Sequence, residues 1–185
     1  MPSKKHVRTR DRSNAVQVLY TSELQSKPAS QLIDEGQCLL EDGTLTDYAL
    51  QLIRGVEEHG DAIDERLEAA SENWTLARMP IVDRSILRLA AFEMLHVDDV
   101  PVSVSINEAV ELAKDFGGEE DSPRFVNGVL GRIARQLEAD AADAGDASSS
   151  AIPSERSESK DLGYGAQVPE TVAASAAAAV VQEEV

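Results

Sequence analysis

The sequence predicts an all-α fold, a compact bundle of about seven helices followed by a disordered acidic C-terminal tail. Three observations predict it. Apolar residues recur three and four positions apart from near Asp11 to Leu137, and no alternating strand pattern persists. The stretch from Val82 to Val97 carries Ile86, Leu87, Leu89, Ala90, Phe92, Met94 and Leu95 and is apolar nearly all round, as a central helix is. Beyond about Asp140, alanine, serine, glycine and acids dominate and Pro153 and Pro169 interrupt. Such a segment buries too little apolar surface to offset its ordering entropy.

The elements follow in chain order. Residues 1–10 read as a flexible basic arm, 11–140 as the helical domain and 141–185 as the tail. A first helix from about Asp11 to Gln25 turns Ala15, Val16, Leu19, Tyr20 and Leu24 toward a core. Pro28 opens a second helix with Leu32, Ile33, Leu39 and Leu40, and Gly43 ends it. Thr46-Asp47 caps a third, carrying Ala49, Leu52, Ile53 and Val56. Gly60-Asp61 marks a break before a fourth with Ile63, Leu67 and Ala70. Trp74, Leu76 and Met79 form an apolar link to the central helix, and Pro101 separates that helix from a final pair. Ser105 and Glu108 have the spacing of a capping box, with Ile106, Ala109, Val110, Ala113 and Phe116 as the stripe that follows. Gly117-Gly118 is expected to stop this helix by adopting the left-handed conformation, and Ser122-Pro123 to start the last one. Val126, Val129, Leu130, Ile133, Ala134 and Leu137 form its apolar stripe. Gly128 lies inside it at a cost of up to about 1 kcal/mol against alanine, so a neighbouring helix is expected to press close there.

Charge and chemistry narrow the function. The net charge of −17 conceals a basic N-terminus, where Lys4, Lys5, Arg8, Arg10 and Arg12 face only Asp11. Cations are poorly placed at a helix N-terminus, which favours negative charge. They are either a solvated lead-in or donors to an anion, for which the arginine fork is suited. The single cysteine, Cys38, excludes an intrachain disulfide and fits a reducing cytosol. No apolar run is long enough to span a membrane. Glu93 and His96 have the spacing of a helical di-iron motif, but His6 and His59 do not complete a second one. There is no phosphate-cradling glycine loop, nucleophile elbow or triad pattern. No cofactor, metal site or catalytic activity is expected.

Four ordered motifs then carry a resemblance. Ala15-Val16-Gln17-Val18-Leu19-Tyr20 after a basic arm, Val82-Asp83-Arg84-Ser85-Ile86-Leu87-Arg88, the run Ile106-Asn107-Glu108-Ala109-Val110-Glu111-Leu112-Ala113-Lys114, and Phe125-Val126-Asn127-Gly128-Val129-Leu130 resemble the NusB family of bacterial transcription antitermination proteins across roughly residues 4 to 138. The resemblance implies a cytoplasmic, non-catalytic, all-helical protein. It implies binding of single-stranded boxA RNA together with NusE, a small-subunit ribosomal protein, and entry into an RNA polymerase antitermination complex, notably on ribosomal RNA operons. Carried over by position, Lys4, Lys5, Arg8, Arg10 and Arg12 contact phosphates, Tyr20 and Phe125 offer aromatic surface, Arg88 adds an RNA contact, and Asp83 and Asp121 face NusE. Single-stranded RNA is held in this manner, by cations on its backbone and rings against its bases. A basic ribosomal partner also suits an acidic body. Thr9 and Asp11 dilute the arm relative to its relatives, which implies weak binding of RNA without the partner. Gly131 stands where relatives often carry an acid, and the tail has no counterpart in compact members.

Two other readings are kept. One is a scaffold or homodimer that uses the helical surface without RNA and hides the arm. The other is a ribosomal RNA cytosine methyltransferase with a domain of this type, which requires a downstream α/β domain where the low-complexity tail stands. In default terms, Tyr20 and Phe125 are core residues, and Asp83 and Asp121 are surface or capping acids.

Overall fold

A computed structural model of the chain describes residues 4–38, 40, 44–71 and 74–149, with the side chains of 4–6 and 143–149 left out. Among them are seven α-helices, one 3₁₀ turn and no strand: α1 Lys4–Gln25, α2 Ala29–Asp34, α3 Asp47–Glu58, α4 Gly60–Ala70, the 3₁₀ turn Leu76–Arg78, α5 Ile81–His96, α6 Val102–Phe116 and α7 Ser122–Ser149. Helix α5 is the axis of the bundle, packed by α1, α3, α4, α6 and α7. Its Ile86, Leu87, Leu89, Ala90 and Ala91 are buried together with Leu52 and Ile53 of α3, Ile63 and Leu67 of α4, and Leu130 and Ile133 of α7. The all-round apolar character of this helix is what makes it central.

The ends of the helices explain where expectation and structure part. The basic segment is helical from Lys4, so the arm is the first turns of α1 rather than a leader to it. Packing of α1 along α3 and α5 offsets the poor dipole placement of its cations. Helix α2 stops at Asp34, before the expected Gly43, which lies outside the described residues, as does Leu39. Gly36 adopts φ +66°, its amide donates to the Ile33 carbonyl and the Gln37 amide donates to that of Leu32. That is a Schellman stop. Thr46 caps α3 as expected, its Oγ1 accepting from the Ala49 amide.

Helix α6 begins at Val102, three residues ahead of the expected capping box. The Pro101 carbonyl accepts from the amides of Val104 and Ser105, so Ser105 lies inside the helix, buried, and Glu108 is released for another role. Gly117 ends α6 at φ −58° and is not left-handed. Glycine is required there by proximity: a Cβ would lie 2.2 Å from the Ala113 carbonyl oxygen and 2.7 Å from Ser122 Cβ. The close helix approach expected at Gly128 is found instead at Gly55, where a Cβ would fall 1.9 Å from the Phe92 ring; at Gly128 it would meet nothing within 4 Å. Helix α7 runs nine residues past Asp140. Arg66 of α4 pairs with Asp140 at 3.6 Å, and the alanine-rich sequence that follows extends an existing helix at little cost. The rest of the expected tail, 150–185, lies outside the described residues.

Candidate nucleic-acid interface

The basic end of α1 meets the C-terminal end of α5. Arg8 and Arg12 are four residues apart and share one face of the helix. Arg8 Nη2 donates to Asp99 Oδ2 at 2.5 Å, and its guanidinium carbon lies 4.5 Å from the centroid of the Tyr48 ring. Arg12 is only 3% exposed. Its Nε donates to Glu93 Oε1 at 2.8 Å, Nη1 to Glu108 Oε2 at 3.3 Å and Nη2 to the Tyr48 hydroxyl at 3.3 Å, while that hydroxyl donates to Glu93 Oε1. Burial and then the Glu93 carboxylate push the Tyr48 phenol well above its usual range. Arg12 is therefore committed to an internal ion-pair network, a correction to its expected place among the phosphate contacts. Arg10 is exposed on another face of α1. The Lys4 and Lys5 side chains lie outside the described residues.

Two more expected site residues hold the bundle together. Arg88 donates from Nε and Nη2 to both oxygens of Asp64 on α4, each at 2.7 Å, and from Nη1 to Glu23 on α1 at 3.1 Å. The Asp64 carboxylate raises its pKa further. Arg84, one turn earlier, also donates to Glu23 and to the Leu76 carbonyl. Arg88 thus braces α5 to α4 and α1 through paired donors rather than presenting a cation for RNA. Asp83 is 3% exposed and accepts from the Ser122 hydroxyl at 2.9 Å, pinning the start of α7 to α5; burial raises its pKa. Ser122 is accordingly spent on Asp83, and of the two acids Asp83 and Asp121 only Asp121 is exposed.

The aromatic residues stand at the other end of α5. Tyr20, 38% exposed, lines an open groove with Val16, Gln17, Val82, Phe116 and Gly118. Phe125 is half-buried, and its ring centroid lies 6.1 Å from that of Trp74 at a 57° tilt. Trp74, read as part of an apolar link, is 49% exposed. The two rings line both a cavity of about 390 Å³, with Gly128, Arg124 and Arg132, and one of about 270 Å³, with Arg78, Asp83 and Glu119. The Tyr20 and Phe125 surfaces adjoin, since Val82 and Gly118 line the first and their chain neighbours Asp83 and Glu119 the second. Arg8 and Arg12 are hence at the opposite end of α5 from Phe125, and Tyr20 lies on α1 toward the Phe125 end. From Arg8 to Tyr20 is twelve helical residues, about 18 Å. At the Phe125 end Asp83, Glu119 and Asp121 stand beside Arg78, Arg124 and Arg132, so both signs of charge meet there.

The sequence reading missed Tyr48, Asp99 and Trp74. Each acquires its place through contacts across the fold, and none sits in a local pattern; the one usable signal is that Trp74 is the single tryptophan of an aromatic-poor sequence. The E-x-x-H pair does not converge: Glu93 serves Arg12, and His96 stacks on His59 at 4.2 Å. Among the described residues no group of three or more His, Cys, Asp or Glu side chains is placed to hold a metal. Among them, too, no helix is long and apolar enough to cross a membrane.

Fold and surface together define a small all-helical domain, with Arg8 and Arg10 toward one end and Tyr20, Trp74 and Phe125 toward the other. The chain belongs to the NusB family, whose model matches residues 9–135. The transcription antitermination protein NusB of Rubrobacter xylanophilus is 51% identical over 119 residues, 64% of this chain and 84% of the relative. That of Nocardioides sp. is 43% identical over 129 residues, 69% and 93% of the two chains. Among solved structures, T. maritima NusB matches with TM-score 0.62 and 36% identity over 73% of this chain and 93% of its own. A chain from the crystal structure of antitermination factors NusB and NusE in complex with double-stranded RNA matches with TM-score 0.58 and 26% identity, over 70% and 96%.

Proposed function

We propose that this protein is a cytoplasmic antitermination factor that binds single-stranded boxA RNA with NusE and joins an RNA polymerase antitermination complex, notably on ribosomal RNA operons. It catalyses no reaction. The likeness to a chain from a solved assembly of NusB and NusE with double-stranded RNA carries the RNA and NusE parts of this reading, and the family resemblance supplies the single-stranded boxA target. The geometry supports it: Arg8 and Arg10 take phosphates at the start of α1, and the family resemblance adds Lys4 and Lys5 to them. Tyr20 accepts a base against its exposed face, and Phe125 with Trp74 extends the aromatic surface. Asp121 faces the basic ribosomal partner, and the complementary charge hastens and orients that encounter. Arg12, Arg88 and Asp83 hold these elements in register from within.

Titrating labelled boxA RNA with the protein, with and without NusE and across salt concentrations, tests this. Binding tightens with NusE present and weakens as salt rises, because neutralised phosphates release counterions. Affinity that ignores salt and the replacement of Arg8 and Arg10 by alanine favours the scaffold or homodimer reading. That alternative draws on the exposed Leu24, Tyr20 and Phe116, and sedimentation equilibrium without RNA separates the two.

A further inference from the structure

Resting on the RNA-binding reading above, we infer that Arg8 is a phosphate-binding arginine pre-positioned by the Tyr48 ring and occupied, until RNA arrives, by the Asp99 carboxylate. Three observations meet here. The Arg8 guanidinium lies over the Tyr48 ring at 4.5 Å, a cation–π distance. Tyr48 is itself immobilised, since its hydroxyl donates to Glu93 and accepts from Arg12 Nη2, both inside the buried network. The platform under Arg8 is thus fixed from the core outward, and a side chain with less freedom to lose binds at lower entropic cost. Third, Asp99 reaches Arg8 from the turn after α5 with one oxygen on one nitrogen, at 2.5 Å.

The two partners of Arg8 differ in how easily they leave. Tyr48 is tied into the core, whereas the Asp99 side chain is 65% exposed and that of Arg8 35%. An ion pair this open is weak and is broken cheaply. A carboxylate and an RNA phosphate offer the same chemistry to a guanidinium, anionic oxygens accepting N–H donors. A phosphate can therefore replace Asp99 while the ring contact stays in place. Tyr48 is a positioning residue in this scheme and Asp99 a competitor, and neither touches a base. Asp99 keeps the arginine from pairing with unrelated anions and lowers affinity for RNA presented without a partner.

The test is a double-mutant cycle on the full chain, reading the affinity for a fluorescein-labelled single-stranded boxA oligonucleotide by anisotropy at low salt. Asp99→Asn should tighten binding about two- to five-fold, the range an exposed pair commands. In an Arg8→Ala background the same change should leave affinity within about 1.5-fold. Tightening of equal size in both backgrounds would mean that Asp99 merely repels RNA at a distance, and would overturn the proposal. So would no response to Asp99→Asn while Arg8→Ala still weakens binding; the RNA reading then survives alone. If Arg8→Ala and Arg10→Ala both leave affinity unchanged, it is the RNA reading that fails, and this proposal with it. Tyr48→Leu, which removes the ring, should lose about two- to five-fold per folded molecule, and Tyr48→Phe, which keeps the ring but frees it from Glu93 and Arg12, should lose less. Equal losses from the two would remove the ring from the account. Asp99→Ser serves as a second neutral variant and should repeat the Asn result.

Discussion

Replacing Arg12 by methionine separates a fold-holding cation from an RNA-holding one. The side chain is 3% exposed and gives hydrogen bonds to Glu93, Glu108 and Tyr48. Methionine fills much of the volume but leaves Glu93, itself 1% exposed, as a buried carboxylate without its counter-charge. Breaking one side of such a pair costs about 3–5 kcal/mol. For a domain of this size each kcal/mol moves Tm by roughly 2–4 °C, so a fall on the order of 10 °C is expected. Arg12→Met with Glu93→Gln should recover a large part of that loss, because the stranded charge is gone. Urea denaturation and calorimetry of the single and double variants measure both effects. An Arg12→Met protein that unfolds within about 0.5 kcal/mol of the parent, yet binds boxA RNA much more weakly, would refute the reasoning and return Arg12 to the RNA surface.

Gly128→Ala should stabilise the protein by up to about 1 kcal/mol, since a helical interior gains from alanine and its Cβ meets open space. By contrast, Gly55→Ala should destabilise it by about 1–3 kcal/mol or more, because the Phe92 ring occupies the position of the new methyl; denaturant titration checks both. Burial, His59 and Arg66 lower the His96 pKa, so its proton binds the unfolded chain more strongly. Its contribution is fully present above the unfolded value near 6.5 and is lost as pH falls through the lower folded value. His96→Asn should accordingly flatten the decline in Tm between neutral and mildly acidic pH.

Much of the bundle was legible because helical periodicity is a local signal. The apolar stripes of α3, α4, α5 and α7 and the Thr46 cap follow from neighbours in sequence. What was not legible depends on contacts between segments far apart. Gly55 and Gly128 are both helical glycines, and only the position of Phe92 tells which one is a close approach. Arg8 and Arg12 look equivalent in the arm, yet Glu93, 81 positions away, takes one into the core and leaves the other at the surface. Asp83 and Asp121 read alike as acids until Ser122 claims the first. The motifs that mark the family point to a surface, and long-range pairing decides which residues in them face outward.

The central claim is that RNA lies along α1 from its basic turns to Tyr20 and on toward Phe125. Photo-crosslinking of 4-thiouridine-substituted boxA RNA, with the adducts mapped by mass spectrometry, tests it most directly. The account predicts adducts in the first turns of α1, at Tyr20 and in the Phe125–Trp74 surface. Adducts confined to the acidic α4 face around Asp61, Asp64 and Glu68, with none on α1, would contradict it.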